Sequence, residues 1–279
     1  MVIVKEAPAK INLVLRVMRR REDGYHDIVS LLQRITLADE MIFEARPRGI
    51  TVRCDHPRVP EDENNIVHRA LNALFEKVSH KGGIDVAIRK KIPVAAGLGG
   101  GSSNAAAALV TANELLSLGL TRGELMNLGG TVGADVPFFV FEKTAWARGI
   151  GDRLEEARGM PSLSLLLVNP GFEVSTKSVY EGLKRGLTKD RRQYNIPALT
   201  TVPRVVEELH NDLESVSVVR HPVLADIKEA LIGAGALGAL MSGSGPTVFG
   251  IFKGSDDVAR AEQRLKVLGL GATYRASSL

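Results

Sequence analysis

The stretch "VAAGLGGGSS" (residues 94–103) places four glycines in the five positions Gly97 to Gly101 and follows them with two serines. Directly behind it, "NAAAALVTANELL" (104–116) is rich in strong helix formers. Glycine at the mouth of a helix costs conformational entropy and packs nothing, so its concentration there calls for a compensating gain. A helix start offers one, in unpaired N–H groups and the positive end of the dipole. A flexible loop feeding that end turns further N–H groups inward and forms a cup for phosphate oxygens. Ser102 and Ser103 can cap the helix, and their hydroxyls can also meet phosphate or a magnesium ion. The expected phosphate-binding set is Pro93, Val94, Ala95, Ala96, Gly97, Leu98, Gly99, Gly100, Gly101, Ser102 and Ser103. No Lys follows the glycines as a P-loop requires, and their spacing is not the G-x-G-x-x-G of dinucleotide folds.

The rest of the chain sets limits on what such a site serves. Its 279 residues hold one large domain or two modest ones. The 36 Lys+Arg against 32 Asp+Glu leave a formal charge of +4, which suits anionic small molecules but argues against nucleic acid as a partner. Cys54 is the single cysteine, so neither an intramolecular disulfide nor a multi-cysteine metal site is available; with no basic-then-apolar leader, a cytoplasmic location is expected. No apolar run approaches the roughly 20 residues that span a bilayer.

Periodicity predicts the elements. "VIVKEAPAKINLVLRVM" (2–18) reads as two strands broken at Pro8, and "EMIFEA" (40–45), "ITVRC" (50–54) and "GIDVAIRKKI" (83–92) as further strands. "NIVHRALNALFEKV" (65–78) has helical spacing, a second helix covers 103–117 with Gly119 as its C-terminal cap, and Thr121 with Glu124 forms a capping box for a third. Pro137 argues against helix in "GADVPFFVF" (133–141). Beyond residue 155 the composition restarts. A strand in "SLSLLLVNP" (162–170), helices in 201–214 and 221–235, a strand–turn–strand over 238–252, a helix over 256–269 and a strand over 272–277 suit a compact α+β half with an antiparallel sheet. The polar segment "TKDRRQYNI" (188–196) is expected to be a surface connection, and Arg19, Arg20 and Arg21 a solvated hairpin tip.

Three strings in fixed order carry a resemblance. "APAKINLVLRV" (7–17), "PVAAGLGGGSSNAAA" (93–107) and "ALMSGSGPTVFGIF" (239–252) are similar to the three signature motifs of the GHMP kinase superfamily. With "RRREDGYHDI" (19–28) and "GADVPFF" (133–139), the chain most resembles the superfamily branch of the non-mevalonate isoprenoid route. The resemblance implies an α+β, two-domain fold: an N-terminal domain like the second domain of ribosomal protein S-five, over 1–155, and a ferredoxin-like domain over 156–279. It implies ATP as phosphoryl donor, with Mg2+, and a cytidine-diphosphate-linked polyol as acceptor at its tertiary 2-hydroxyl. Neither a nucleic acid nor a membrane is implied as partner, and the assembly is a monomer or a weak homodimer.

The resemblance also assigns residues. Asp135 is the implied base and Lys10 the cation beside it; read alone, Asp135 is a local cap and Lys10 an edge-strand lysine. Asn12, two residues on and on the same strand face, is implied to bind substrate hydroxyls. His26 is implied to meet the cytosine edge, with Tyr25 and Tyr180 on the two faces of that ring, and Thr176 to lie near the transferred group. Asn65 is either an adenosine contact or an ordinary helix cap. The turn "SGSGPT" (242–247) either donates to the substrate diphosphate or packs behind the ATP loop. Asn104 stands where many superfamily loops carry Asp. The magnesium ligands are unassigned, with Glu114 and Asp135 available. Alternatives are another GHMP kinase such as homoserine kinase and, from a different class, a non-catalytic nucleotide or RNA binder.

Overall fold

A computed structural model describes residues 1–183 and 194–279, so the 188–193 part of the expected surface connection lies outside the described residues. The chain divides into two compact units. The first holds 1–9, 38–94 and 99–143, and the second holds 10–37, 95–98 and 144–279. Two long strands belong to both units, β1 (Val2–Arg20) and β2 (His26–Arg46). The break expected at Pro8 is absent. Among the described residues, the Val2–Ala9 portion of β1 has only β2 as neighbour, and an edge strand tolerates a residue without an N–H.

In the first unit, β3 (Gly49–Cys54) and β4 (Gly83–Arg89) run parallel, with Gly49 opposite Gly83 and Cys54 opposite Ile88. Parallel neighbours need a crossover, and α1 (Ile66–Lys77) supplies it. β4 in turn pairs antiparallel with β2, from Glu40–Arg89 to Arg46–Gly83. Met41, Phe43, Ile84 and Val86 point into a core that α1 closes with Leu71 and Leu74. α2 (Gly100–Leu115) packs on α1, and α3 (Arg122–Val132) and α4 (Val136–Phe141) complete the layer. The expected capping box is present: the Thr121 hydroxyl accepts from the Glu124 N–H, and the Glu124 carboxylate accepts from the Thr121 N–H at 2.8 Å.

Two expectations here are corrected. Pro137 does not exclude helix, because it falls in the first turn of α4, where no N–H is required of it. α2 starts at Gly100, inside the glycines, and ends at Leu115, with Leu116 rather than Gly119 at its cap; Ser117 takes the left-handed turn first.

In the second unit, β7 (Ser164–Asn169), β9 (Gly238–Met241), β10 (Val248–Phe252) and β11 (Ala272–Ser277) form an antiparallel sheet in the order β11-β7-β10-β9. α8 (Val223–Gly233) and α9 (Ser255–Leu268) pack on this sheet and on each other. Leu166, Val168, Ile227, Leu231, Val258 and Leu265 share one core with Leu15 and Val17 of β1. β5 (Ala145–Gly149) and β6 (Arg153–Glu156) extend from β2. α5 (Thr176–Gly182), α6 (Val202–Glu207), β8 (His210–Asn211) and α7 (Glu214–Arg220) fill the interval between β7 and α8, and β8 pairs in parallel with Val14 and Leu15.

Candidate active site

The glycine loop is held by its carbonyls. Thr247 N donates to Ala96 O at 3.4 Å, the Ser242 hydroxyl to Gly97 O at 3.0 Å and Lys10 N to Leu98 O at 2.9 Å. Three successive carbonyls of the loop, those of Ala96, Gly97 and Leu98, are thus engaged. Positive φ recurs at every second residue, at Ala95 (55°), Gly97 (76°) and Gly99 (71°), the alternation that curls successive N–H groups into an anion-binding concavity. α2 then begins at Gly100, with Gly99 at its N-cap and no side-chain cap, whereas α1 and α3 in the same unit are capped by Asn65 and Thr121. The Ser103 hydroxyl is buried without a hydrogen-bond partner among the described residues.

The turn over 242–247 packs behind the loop. A Cβ on Gly97 would lie 2.2 Å from the Ser242 carbonyl oxygen. The turn is braced from every side: Asn211 Nδ2 donates to the carbonyls of Met241 and Gly243 at 2.8 Å each, and the Ser217 hydroxyl to that of Ser244 at 3.1 Å. Asn169 Nδ2 reaches the Thr247 hydroxyl at 2.9 Å, and Thr176 Oγ1 lies 2.8 Å from Ser244 Oγ.

Lys10 is buried, not an exposed edge lysine, and its ammonium donates to Asn12 Oδ1 at 2.6 Å. Asn12 Nδ2 donates to the Ser30 hydroxyl, which donates to Val14 O, so the amide orientation is fixed by a chain of bonds. A Cβ on Gly243 of the turn would stand 3.4 Å from both Lys10 Nζ and Asn12 Oδ1, so the turn presents bare backbone to the pair.

His26 and Tyr180 are brought together, with ring centroids 5.1 Å apart. Burial, and secondarily the charge of Arg20, lower the His26 pKa from its ordinary 6.5. Tyr25, next to His26 in sequence and just past the hairpin tip, is 62% exposed. That tip is laced by Arg19 to Asp27 and by Arg21 to Asp23 and Asp27, as expected of a solvated turn.

In the first unit, Asp135 occupies the N-cap position of α4, yet its side chain makes no capping hydrogen bond. A Cβ on Gly133, two residues earlier, would lie 3.7 Å from the Ser102 hydroxyl, so this turn adjoins the start of α2. Asn65 does cap: its Oδ1 accepts from Val67 N at 2.8 Å while its Nδ2 donates to Pro60 O. Glu114 is removed as a magnesium candidate. It lies 14 residues beyond Gly100 on α2, about 20 Å along the axis, and is exposed. Lys10 belongs to the second unit and Asp135 to the first. Sequence reasoning missed Ser30 and Ser217, whose only signal is a place among apolar residues, and Asn211, which sits between His210 and Asp212 and carries no signal.

Residues 65–143 match the model of the GHMP kinases N terminal domain, and 196–268 match that of the GHMP kinases C terminal. The chain belongs to the GHMP kinases. It is 50% identical to a 4-diphosphocytidyl-2-C-methyl-D-erythritol kinase of Syntrophus aciditrophicus (strain SB) over 98% of each chain. It is 51% identical to a kinase of the same name from Geobacter metallireducens, over 93% of this chain and 92% of that one. A crystal structure of 4-(cytidine 5'-diphospho)-2C-methyl-D-erythritol kinase superposes with a TM-score of 0.85 at 33% identity, covering 99% of both chains. A homoserine kinase from Cytophaga hutchinsonii shares the GHMP kinase fold, with a TM-score of 0.76 at 20% identity, over 100% of this chain and 94% of that one.

Proposed function

We propose that this GHMP kinase transfers the γ-phosphoryl group of ATP to the 2-hydroxyl of 4-diphosphocytidyl-2-C-methyl-D-erythritol. The observation that carries the nucleotide part is the loop over 94–103, with its carbonyls engaged and its helix start uncapped. The acceptor follows from the relatives named above, half identical over nearly the whole chain. Phosphoryl transfer asks a protein mainly for positioning and charge neutralisation. Asp135 takes the proton of the acceptor hydroxyl as that oxygen bonds to the γ-phosphorus and the bond to the leaving ADP oxygen breaks. Lys10, oriented by Asn12, steadies the charge on the transferred group. Asn12 and Thr176 meet acceptor oxygens, while His26 reads the cytosine edge between Tyr25 and Tyr180. Asn65 faces the adenosine with its helix start.

Mg2+ offsets charge on the β- and γ-phosphates in such chemistry. The described residues hold no cluster of three His, Cys, Asp or Glu. A metal would therefore rest chiefly on phosphate oxygens, with the Ser103 hydroxyl and Asp135 as the protein groups on hand. We assign ATP binding and catalysis to 1–155 and the ferredoxin-like domain to 156–279, in a cytoplasmic monomer or weak homodimer without nucleic-acid or membrane partners. No helix of the described residues is long and apolar enough to cross a membrane.

The test is turnover with each acceptor. Phosphorylation of the cytidyl substrate and not of homoserine is expected; the reverse overturns the assignment. Asp135→Asn should lower kcat by roughly 100-fold or more, the scale of a positioned base, with ATP affinity near that of the parent. An unchanged kcat removes Asp135 from that role.

A further inference from the structure

Asp39 of β2 is fully buried and has no part in the transfer just described. Its Oδ1 accepts the N–H groups of Lys91 at 2.8 Å and Ile92 at 2.9 Å. Its Oδ2 accepts from Asn104 Nδ2 at 3.0 Å and pairs with the Lys90 ammonium. Lys90 Nζ also donates to Asn104 Oδ1 at 3.2 Å. One carboxylate thus ties together residues 90–92, which lead into the glycine loop, and Asn104, in the second turn of the helix that leaves it.

A buried ion pair is weak evidence of added stability, since desolvation offsets its attraction. Its placement here answers a different need. A Cβ on Gly100 would lie 3.2 Å from Lys90 Nζ, so the ammonium rests against the first residue of α2. The positive end of a helix dipole disfavours a cation there, and Asp39 compensates it. Asn104 joins both charges, offering its NH2 to the carboxylate and its carbonyl to the ammonium. An Asp at 104 would set a second buried carboxylate against Asp39, so a neutral amide suits the position.

We infer that Asp39, Lys90 and Asn104 form a positioning cluster that fixes the two ends of the glycine loop in its nucleotide-binding form. The inference rests on reading that loop as the ATP phosphate site. It makes a charge-exchange prediction. In the double variant Asp39→Asn/Asn104→Asp, the amide introduced at position 39 still accepts both N–H groups through its oxygen. Its NH2 donates to the new carboxylate at 104, which pairs with Lys90. Either single change breaks the set: Asp39→Asn leaves Lys90 without its carboxylate, and Asn104→Asp crowds two.

The experiment is a calorimetric titration of the four proteins with a non-hydrolysable ATP analogue, with KM measured for ATP and for the cytidyl acceptor. Each single variant should bind the analogue roughly 10-fold or more weakly, and the double variant should return to within about 3-fold of the parent, the non-additivity of directly coupled residues. The acceptor KM should stay put throughout. A parent that does not bind the analogue removes the phosphate-site reading itself. A parent that binds, with singles that bind equally well, overturns the positioning role alone. So does a double variant that is no better than the singles or does not fold, or an acceptor KM that moves with the ATP KM. Singles that do not fold beside a double variant that folds and binds support the cluster.

Discussion

Single residues decide whether the loop can exist. Gly97 has φ of 76°, and any Cβ there would strike the Ser242 carbonyl oxygen, a backbone atom that the 242–247 turn holds fast. Gly97→Ala should therefore cost more than the roughly 1–2 kcal/mol of a left-handed alanine, lowering Tm by several degrees and weakening ATP binding. Gly123 is the control: it lies inside α3, and a Cβ there meets nothing within 4 Å. Gly123→Ala should leave stability unchanged or raise it by up to about 0.5 kcal/mol, since Gly123 is only the second residue of the helix. Matching Tm values for the two variants would contradict the packing of loop on turn. His26 is legible in the same way. Its folded pKa is depressed, so the unfolded chain takes up the proton first as pH falls; the stability this histidine contributes is present above pH 6.5 and lost below it. At neutral pH the ring keeps one donor and one acceptor for a cytosine edge. The KM for the cytidyl acceptor should rise as pH falls below the ordinary histidine value of 6.5, while the ATP KM holds. In His26→Gln, which cannot titrate, that rise should vanish. A rise that persists in the variant would place the titrating group elsewhere.

At the scale of elements, legibility follows how local the determining physics is. The capping box at Thr121 and Glu124 and the apolar spacing of α1 depend on neighbours three or four residues away, and both are where the sequence puts them. Proline misleads twice for one reason. Its effect depends on whether a hydrogen bond is due at that position, which is a matter of context: Pro8 lies on an edge strand and Pro137 in a first helical turn. β8 escapes a sequence reading because two residues carry no periodicity. It is held instead by Asp212, which accepts from Val17 N at 2.7 Å through its side chain and donates its own N–H to Leu15 O. The glycine-rich stretch at the mouth of α2 is legible in the sequence, because the positive φ at Gly97 and Gly99 is what glycine supplies. The carbonyl clamps that hold it are not, because Lys10, Ser242 and Thr247 meet it only through the fold.

For the whole molecule, the three motifs that are far apart in sequence share one backbone junction in the second unit. There the Lys10 N–H donates to Leu98 O and the Ser242 hydroxyl donates to Gly97 O, two successive carbonyls of the glycine loop. Such a junction joins Lys10 and Asn12, proposed to serve the transferred group and the acceptor, to the loop that is proposed to hold the donor, and Asn12 N reaches Ser242 Oγ at 3.4 Å. A ligand that binds only the folded chain stabilises it by mass action. At a concentration of about 100 Kd the gain is about 2.7 kcal/mol, and at roughly 2–4 °C per kcal/mol for a chain of this size Tm should rise by about 5–10 °C. A non-hydrolysable ATP analogue and cytidine diphosphate should each produce such a shift when given alone, because the residues proposed for each are different. Homoserine should produce none at any concentration. In Tyr25→Ala the cytidine diphosphate shift should shrink while the analogue's shift is retained. Equal loss of both shifts would mean that the substitution disturbs the fold rather than a pyrimidine contact, and a homoserine shift with no cytidine response would return the chain to a different branch of the family.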